Sequence, residues 1–518
     1  MEEHLLNEFE EFGLTPNKRV LEKCIELLKK YEITPDTLVN HWIGYAATKL
    51  NDEAPSLENM ILFEKDLSKE LSAKTKVKSE PLSTSSKFST RNNAGEVVVK
   101  YPADDAVINW TRSNETWEPD IQLHGTAETK LTTKYNYMFS RLRDKFDVLE
   151  EQINDLGDLV KRKLGIDDFD PNSVLKSETF HTIGRICCDA TSGSRLNTSS
   201  LLLEGTRNTS SGQSVPLDVS QLREFSFFPG QVVAVEGSNP TGKKMVVTSV
   251  TTPPINPVLK TDVSIEGRGP LNVMVACGPF TLPDDLEFAP LVEFIQQVNA
   301  LLPHLVIIMG PFVDVKNKKV ECGDLDYTYQ EQFDIVMKEL QSKITNSVQV
   351  CIIPSWRDVH YRTVYPTPPF PQENKAPNVN FFSDPCVLNV NSIFIALTST
   401  DILFHLSKEE IAVTPHGSDR LGRLVSHLFS QQSFYPLNPP SEEMSIDLEQ
   451  AEDHCKLSFT PHLLFVPSDL RHFIKNVSGC VVVNMERAVK GFCGGTYSRL
   501  QITGEGSSVQ IKAEIVRL

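Results

Sequence analysis

Two aspartates lie where an α/β protein would place a reactive site. Asp314 follows the apolar run LVIIMG, and Asp358 follows VQVCIIP, with His360 two residues later. Such runs predict parallel strands, and an open parallel sheet puts its sites at the carboxyl ends of the strands. Carboxylate and imidazole groups gathered at that edge could hold a divalent metal and hydrolyse a phosphodiester. One hypothesis is therefore a phosphodiesterase that uses Asp314, Asp358 and His360 with a single metal.

A second candidate for chemistry is the segment GSNPTGK at 237–243, which fits the phosphate-binding pattern G-x-x-x-x-G-K. A P-loop next requires Ser or Thr to hold Mg²⁺, and then a helix whose N-terminus faces the phosphates. Lys244 stands at the Ser/Thr position instead, and the following MVVTSV is typical of a strand. We therefore predict a hairpin turn here and no nucleotide site.

Other short motifs of metal or nucleophilic chemistry are missing from the sequence. The 12 histidines and 10 cysteines form no H-E-x-x-H and no Cys-x-x-Cys pair, and no G-x-S-x-G is present. Structural zinc needs closely spaced ligand pairs, and a hydrolase elbow needs its serine between glycines. We expect no cofactor and no bound metal.

The charge balance and the apolar runs of the sequence argue against a nucleic-acid-coating, a membrane-spanning or a secreted protein. The 518 residues carry 51 Lys plus Arg against 68 Asp plus Glu, a net charge of −17. A protein that coats nucleic acid by neutralising phosphates would have the opposite balance. No run of about 18 apolar residues is long enough to span a membrane, and the acidic start MEEHLLNEFEEFG differs from a secretory signal. We expect an intracellular protein.

The first part of the chain predicts a docking module on a tether. In residues 1–71 the apolar positions recur at helical spacing and predict a small N-terminal helical bundle that acts as a docking domain. Residues 72–127 predict a flexible tether and irregular linker, because stretch 72–95 has only Val77, Leu82 and Phe88 as large apolar residues.

The rest of the chain predicts a multidomain protein. In residues 128–165 apolar side chains alternate four and three apart from Tyr135 to Val160, which predicts a helix that packs on the next domain. Residues 166–257 change to short strands between turn residues, typical of an OB-type β-barrel. Residues 258–518 alternate apolar strands with helices, and we expect an α/β domain whose sheet is covered by helices on both faces.

The strand ends of the α/β domain resemble those of calcineurin-like binuclear metallophosphoesterases. That family carries D-x-H, G-D-x-x-D and G-N-H-D/E after its first three strands, and G-H-x-H near the end. Here only Asp314 and Asp358 match acidic positions, as vestigial metal-site positions. The resemblance implies an inactive phosphoesterase domain that lacks metal ligands. Residues of other types stand at the remaining positions, among them Pro311, Ser355, Trp356 and Arg357.

A barrel joined to such a domain resembles the accessory B subunits of replicative DNA polymerases, and most closely those of DNA polymerase alpha–primase. One departure is the segment MERA at 485–488, which stands where a Pro-Gly turn is expected after the strand CVVVN. The resemblance spans residues 178–518. The segments that carry it are FFPGQVVAVEGSNPTGKK (227–244), VMVACGPF (273–280), MGPFVDV (309–315), IPSWRDVHYRTVYPTPPF (353–370), LTSTDILFHLSKEEI (397–411) and GFCGGTYSRL (491–500).

This resemblance implies a non-catalytic regulatory and scaffold subunit in the nucleus, and not an enzyme. It implies that the barrel and the inactive phosphoesterase domain bind the C-terminal domain of the catalytic subunit, with the primase subunits in the same complex. The assembly would support initiation of DNA replication and lagging-strand priming. Residues 1–71 would dock other replication factors, and we expect only indirect contact with DNA and none with a membrane.

Aromatic residues beside the third strand end are candidates for a partner interface. They are Trp356, Tyr361, Tyr365 and Phe370. A phosphoesterase cleft without metals no longer has to stay open, and rigid aromatic side chains give contact area at low entropic cost. The alternative is that the same residues pack inside their own domain, and the sequence favours neither reading.

A third hypothesis is a protein that binds single-stranded nucleic acid through its barrel. That activity needs exposed aromatic residues interleaved with Lys or Arg on the barrel strands. The segments SLLLEG and QVVAVEG offer neither, and the net charge of −17 opposes it.

Overall fold

The computed structural model describes residues 2–31, 33–50, 54–76, 88, 90–103, 108, 117–189, 195–263, 265, 267–371 and 375–518. Its helices are α1 (Glu2–Glu11), α2 (Lys18–Tyr31), α3 (Pro35–Lys49), α4 (Leu57–Lys76), α5 (Leu142–Leu164), α6 (Arg207–Ser210), α7 (Ala289–Leu301), α8 (Lys318–Cys322), α9 (Tyr329–Lys343), α10 (Ile402–Glu409), α11 (Arg420–Ser430) and α12 (Leu448–His454). In this part of the chain, no helix is both long and apolar enough to cross a membrane.

The described residues also form 22 strands. They are β1 (Val97–Tyr101), β2 (Ile121–Leu123), β3 (Lys176–Cys188), β4 (Leu201–Glu204), β5 (Ser214–Asp218), β6 (Phe225–Phe227), β7 (Val232–Asn239), β8 (Met245–Thr251), β9 (Leu271–Cys277), β10 (Leu305–Met309), β11 (Gln349–Ile353), β12 (Val379–Phe381), β13 (Cys386–Val390), β14 (Ile393–Leu397), β15 (Ile411–Val413), β16 (Leu463–Phe465), β17 (Phe473–Val477), β18 (Cys480–Asn484), β19 (Val489–Lys490), β20 (Cys493–Gly494), β21 (Thr496–Glu505) and β22 (Ser508–Arg517).

Helices α1–α4 form a bundle around one apolar core. Trp42 of α3 is fully buried there, and its ring meets the Phe63 ring edge-on at a centroid distance of 5.5 Å. Pro35 opens α3, where its missing N–H costs nothing because the first helical turn has no partner for it. The bundle therefore follows from the apolar spacing of the sequence.

The helix α5 packs on a closed barrel. Within the described residues, strands β3, β4, β5, β8 and β7 close the barrel in that order. Ile153, Leu156 and Val160 of α5 share a core with Ile183 and Val232 of the barrel. Gly165 ends the helix in the left-handed conformation, with φ 69°.

The start of this helix differs from the prediction. The heptad spacing from Tyr135 places that residue on a helix, but α5 begins only at Leu142. Met138 has a positive φ of 63°, which ends any helix across it, and the Tyr135 hydroxyl donates to the Pro366 carbonyl at 2.5 Å. The side chain of Phe139 is left 82% exposed. Local spacing thus predicted a helix where contacts with the next domain hold an extended segment.

Two stacked sheets build the large domain. In the described chain one sheet has seven strands, in the order β1-β22-β21-β9-β10-β11-β12, and the other has six, in the order β17-β18-β16-β14-β13-β2. An apolar core that includes Val, Ile, Leu and Cys side chains from both sheets lies between them. Helices α7 and α9 cover the outer face of the first sheet, and α10 and α11 cover that of the second.

The prediction of one sheet between two helical layers was therefore wrong. Each sheet is covered by helices on one face only and by the other sheet on its second face. A strand buried by helices and a strand buried by a sheet are both continuously apolar, so the runs themselves could not separate the two arrangements.

Two strands also come from the range predicted to be tether and irregular linker. The run VVVKY of β1 pairs antiparallel with β22 at the edge of the first sheet. The short strand β2 pairs with β13 at the edge of the second. The strands that β1 and β2 pair with lie far away in the sequence, so the composition of the segment 72–127 could not predict this pairing.

The barrel and the large domain share a polar contact around Glu410. Strand β15 pairs with β6, and the Ser226 hydroxyl donates to Glu410 Oε1 at 2.6 Å. Arg423 donates to both carboxylate oxygens, at 2.8 and 3.0 Å, and the Glu410 side chain is only 3% exposed. Burial acts to raise the pKa of this carboxyl, but the donors of His427, Arg423 and Ser226 outweigh it and lower the pKa to about 2.

We expect Glu410→Gln to lower the free energy of unfolding by about 1–3 kcal/mol at pH 7, because it removes the charge that strengthens the hydrogen bonds from Arg423 and His427 in the large domain and from Ser226 in the barrel. The ordinary pKa is 4.5 and the folded one about 2, so the ionised carboxylate contributes its full stability above pH 4.5 and loses it as the pH falls toward 2. Urea denaturation should show a difference in unfolding free energy between the unsubstituted chain and Glu410→Gln at pH 7, and this difference should shrink at pH 3.5. Glu442→Gln, at an exposed carboxylate, is the matched control. A difference in unfolding free energy for Glu410→Gln that grows in acid would contradict this prediction.

Candidate functional site

Three parallel strands bring the sequence-predicted site residues to one edge. Met309 of β10 is in register with Cys277 of β9 and with Ile353 of β11. The chain segments that follow these strands therefore converge. A backbone bridge joins Asp314 to Asp358 across them.

Asp358 is fully buried, and backbone amides surround its carboxylate. The N–H groups of Phe312 and Val313 donate to Oδ1 at 2.5 and 3.1 Å, and the N–H of Ser355 donates to Oδ2 at 2.9 Å. Burial raises the pKa of Asp358 to about 7, although these donors act to lower it. A Cβ on Gly310 would lie 2.5 Å from Oδ2, so only glycine leaves room for the carboxylate.

Asp314 is held by a guanidinium group. Arg357 Nε donates to Asp314 Oδ1 at 3.0 Å, and Nη2 donates to Oδ2 at 2.5 Å. The aspartate is 4% exposed, so this bidentate pair is shielded from solvent. Arg357 stands where the metallophosphoesterase pattern has its histidine, and here it takes up the carboxylate that such a site would offer to a metal.

The space beside these strand ends, lined by Asp314 and Arg357, is called the cleft. A second arginine, Arg487, enters the cleft from the loop after β18. Its Nη1 donates to the Cys277 sulfur at 3.0 Å and to the Ser399 carbonyl at 3.1 Å. Its Nε lies 3.3 Å from Asp469 Oδ1, and its Nη2 lies 3.7 Å from Asp401 Oδ2. Burial acts to lower the pKa of Arg487, but the thiol of Cys277 and both carboxylates raise it well above its usual value. The arginine therefore stays charged.

The carboxylates beside Arg487 are also tied to the backbone. Asp401 Oδ1 accepts from the Phe404 N–H at 3.0 Å and so caps α10. Its Oδ2 accepts from the Asp469 N–H at 2.7 Å. Burial raises the pKa of Asp401, and the neighbouring Asp469 raises it further. Each carboxylate in the cleft thus has a cation or an amide within hydrogen-bond reach.

Sequence reasoning assigned no role to Arg487, Asp401 or Asp469. The first lies in the segment MERA, which the sequence marked only as a departure from the expected turn. The available signal was a basic residue just after a buried strand, at the edge where the other strand ends meet. Within the residues described here, no group of three or more His, Cys, Asp or Glu is arranged to hold a metal ion.

The His360 ring packs in an aromatic cluster, whereas the single-metal hypothesis grouped it with the two aspartates. Its ring stacks on Phe333, with the centroids 3.9 Å apart and the planes 17° from parallel. Neither ring nitrogen has a hydrogen-bond partner among the described residues. Burial lowers the pKa of His360 to about 3, so the imidazole is neutral. The histidine is part of an aromatic cluster with Tyr361 and Phe370.

The aromatic candidates for an interface divide into two groups. Tyr365 is 0% and Phe370 2% exposed, so their assignment to a partner surface is corrected: both side chains are core residues of their own domain. Trp356 and Tyr361 are partly buried and keep some surface. Tyr361 also donates its hydroxyl to the Pro369 carbonyl at 2.7 Å. The difference arises because Tyr365 packs into the apolar core outside the second sheet and Phe370 into that outside the first, contacts that the sequence did not predict.

Comparison with known proteins covers most of the chain. Three family models match: the N-terminal region of the DNA polymerase alpha B subunit at residues 3–69, the OB domain of the DNA polymerase alpha B subunit at 146–252, and the DNA polymerase alpha/epsilon B subunit at 273–475. The DNA polymerase alpha B subunit of Rattus norvegicus is 37% identical over 448 residues, which is 84% of this chain and 74% of the rat protein. The chain belongs to the family of DNA polymerase alpha B subunits.

More distant members support the same assignment. The DNA polymerase alpha B subunit of Schizosaccharomyces pombe is 32% identical over 425 residues, or 74% of this chain and 73% of the yeast protein. That of Drosophila melanogaster is 27% identical over an alignment 597 positions long, which covers 97% of this chain and 96% of the fly protein.

The family models map onto the structural units. The N-terminal match coincides with the helical bundle, and the OB match covers most of α5 and the closed barrel. The alpha/epsilon match ends at residue 475, before β18 and Arg487. The arginine that enters the cleft is thus outside the residues that the three models match.

Proposed function

We propose that this chain is a non-catalytic regulatory and scaffold subunit of nuclear DNA polymerase alpha–primase. In this proposal the barrel and the phosphoesterase-like domain bind the C-terminal domain of the catalytic subunit, with primase in the same complex. The assembly supports initiation of DNA replication and lagging-strand priming. The observation that carries the proposal is the cleft of the phosphoesterase-like domain, where Arg357 and Arg487 pair with the carboxylates.

Charge and geometry favour a non-catalytic cleft. A binuclear phosphoesterase needs carboxylates and imidazoles to point their lone pairs at two divalent cations. Here the Asp314 carboxylate is satisfied by a guanidinium, and the Asp358 carboxylate by three amides. A metal at either aspartate would have to break these bonds and would lie close to a fixed positive charge. We infer that the domain is kept for its shape and surface and lacks a metal-ligand set.

Co-purification with the C-terminal domain of a polymerase alpha catalytic subunit tests the proposal. We expect a one-to-one complex on gel filtration that survives moderate salt. Deletion of residues 1–71 from the full chain should leave this complex intact, because the proposal puts the interface on the barrel and the phosphoesterase-like domain. A monomeric, folded chain that never joins the complex would overturn the proposal.

Two assays on the isolated chain separate the other activities. Stoichiometric manganese or zinc together with turnover of a phosphodiester, lost in Asp314→Asn, would establish a phosphodiesterase and overturn the non-catalytic role. Tight and salt-sensitive binding of a fluorescent single-stranded oligonucleotide would establish a nucleic-acid-binding barrel. We expect neither result.

A further inference from the structure

The N-terminal bundle lies against the phosphoesterase-like domain through α3. Lys318 Nζ of the large domain is 2.7 Å from Asp36 Oδ2, at the start of α3, and 3.5 Å from Thr37 Oγ1. Further along the same helix, the His41 ring packs against the Phe492 ring at a centroid distance of 5.2 Å. An ion pair and a ring contact thus join the two domains along one helix.

Small residues let the two backbones approach closely at this contact. A Cβ on Gly44 of α3 would lie 3.2 Å from the Cys493 sulfur, and a Cβ on Gly491 would lie 2.7 Å from the Asn40 carbonyl oxygen. The Cys493 thiol faces the Gly44 carbonyl at 3.7 Å. Gly491 also has a positive φ of 57°, a conformation that glycine adopts without strain.

Helix α3 is covered on two sides. Leu38, Trp42 and Ile43 face the core of the bundle, and His41 and Gly44 face the large domain. The side of α3 that leaves the bundle core carries Gly44 and the His41 ring in addition to the polar Asp36 and Thr37, and all four contact the large domain. This composition suits a helix that is packed between two bodies.

The bundle also forms one wall of the cleft that holds the two arginines. A cavity of about 870 Å³ is lined by Asp314, Arg357 and Arg487 on one side, and by His4 and Asp36 of the bundle on the other. The phosphoesterase-like cleft therefore faces the bundle, and residues of both domains line the same cavity.

We propose that the surface formed by Lys318, Phe492 and Cys493 is a docking surface whose occupant is the N-terminal bundle of the same chain. The bundle covers the cleft there and hides one face of α3. A partner that binds this face of α3 must first displace the bundle from the large domain. Such a partner would present a lysine beside an aromatic ring, as Lys318 and Phe492 do here.

A carbodiimide experiment tests this docking in the unmodified full chain. The reagent activates carboxylates and joins them to a lysine amine only at contact distance. We expect mass spectrometry of monomeric chain to find an amide link between Lys318 and Asp36, whereas Glu58, an exposed carboxylate of α4, forms none with Lys318. Equal linkage of Lys318 to both carboxylates would overturn the proposal.

An engineered disulfide gives a second, independent test. In a Cys322→Ser background, which removes an exposed thiol, Gly44→Cys places a sulfur within bonding reach of Cys493. We expect rapid formation of an intrachain disulfide under mild oxidation, none with Glu58→Cys, and a rate about fivefold lower when Lys318→Glu is added. Lys318→Glu combined with Asp36→Lys should restore the rate. A Gly44→Cys thiol that stays reduced and reacts readily with maleimide would show that the bundle is undocked and would overturn the proposal.

Discussion

Arg487→Ala should lower the free energy of unfolding by about 3–5 kcal/mol, because it leaves the buried Asp401 and the partly buried Asp469 without their cation. The guanidinium is 6% exposed and lies within 4 Å of both Asp401 and Asp469. It also donates to the Ser399 carbonyl, which would lose this donor. Urea denaturation of the full chain, followed by tryptophan fluorescence, measures the change.

Two further variants make the test of Arg487 specific. Arg487→Lys keeps the charge but cannot reach the sulfur, the carbonyl and both carboxylates at once, so we expect an intermediate loss. Arg471→Ala removes an exposed arginine from the same domain and should change stability by less than about 0.5 kcal/mol. If Arg487→Ala proved as harmless as this control, the arginine would not be the counter-charge of the cleft.

Asp358→Ala should cost about 3–5 kcal/mol of unfolding free energy, since each buried amide left without an acceptor costs about 1–3 kcal/mol. The donors are the N–H groups of Phe312, Val313 and Ser355. Asp358→Asn keeps one oxygen for Phe312 and Val313 but turns an N–H donor toward Ser355, so its loss should be smaller. The same urea assay compares these variants.

The control for Asp358 is Asp326→Ala, which removes an exposed carboxylate. We expect no measurable loss there. A metal-binding role for Asp358 makes a different prediction: stability of the parent chain would rise with added manganese, and Asp358→Ala would abolish that rise. A parent chain whose unfolding does not respond to manganese would support the role of Asp358 as an acceptor for the backbone.

Much of the fold followed from local pattern. Helical spacing predicted the bundle, and short strands between turns predicted the barrel that α5 covers. The pattern GSNPTGK was predicted to be a hairpin turn, and it joins β7 to β8, which pair antiparallel. These features depend on periodicity and turn chemistry over a few residues, which a single sequence records directly.

Features that depend on partners distant in sequence were predicted poorly. The heptad spacing around Tyr135 could not show that this residue reaches the Pro366 carbonyl in the next domain. The run at 97–101 could not show that β22, near the far end of the chain, offers it an edge. Tyr365 and Phe370 have the residue types of an interface, and only the folded segment shows that they are core.

The order of the domains, the family resemblance and the departures from the metal-binding pattern of phosphoesterases can all be read from the amino-acid sequence. The residues that fill the cleft are known only from the folded chain. Cys277, Ser399 and Arg487 meet there from three separate parts of the chain. The pairing of a buried arginine with a carboxylate depends on how the two sheets stack and how their loops converge. Spacing along one strand carries no information about that geometry, because its period reports only which face of the strand is buried.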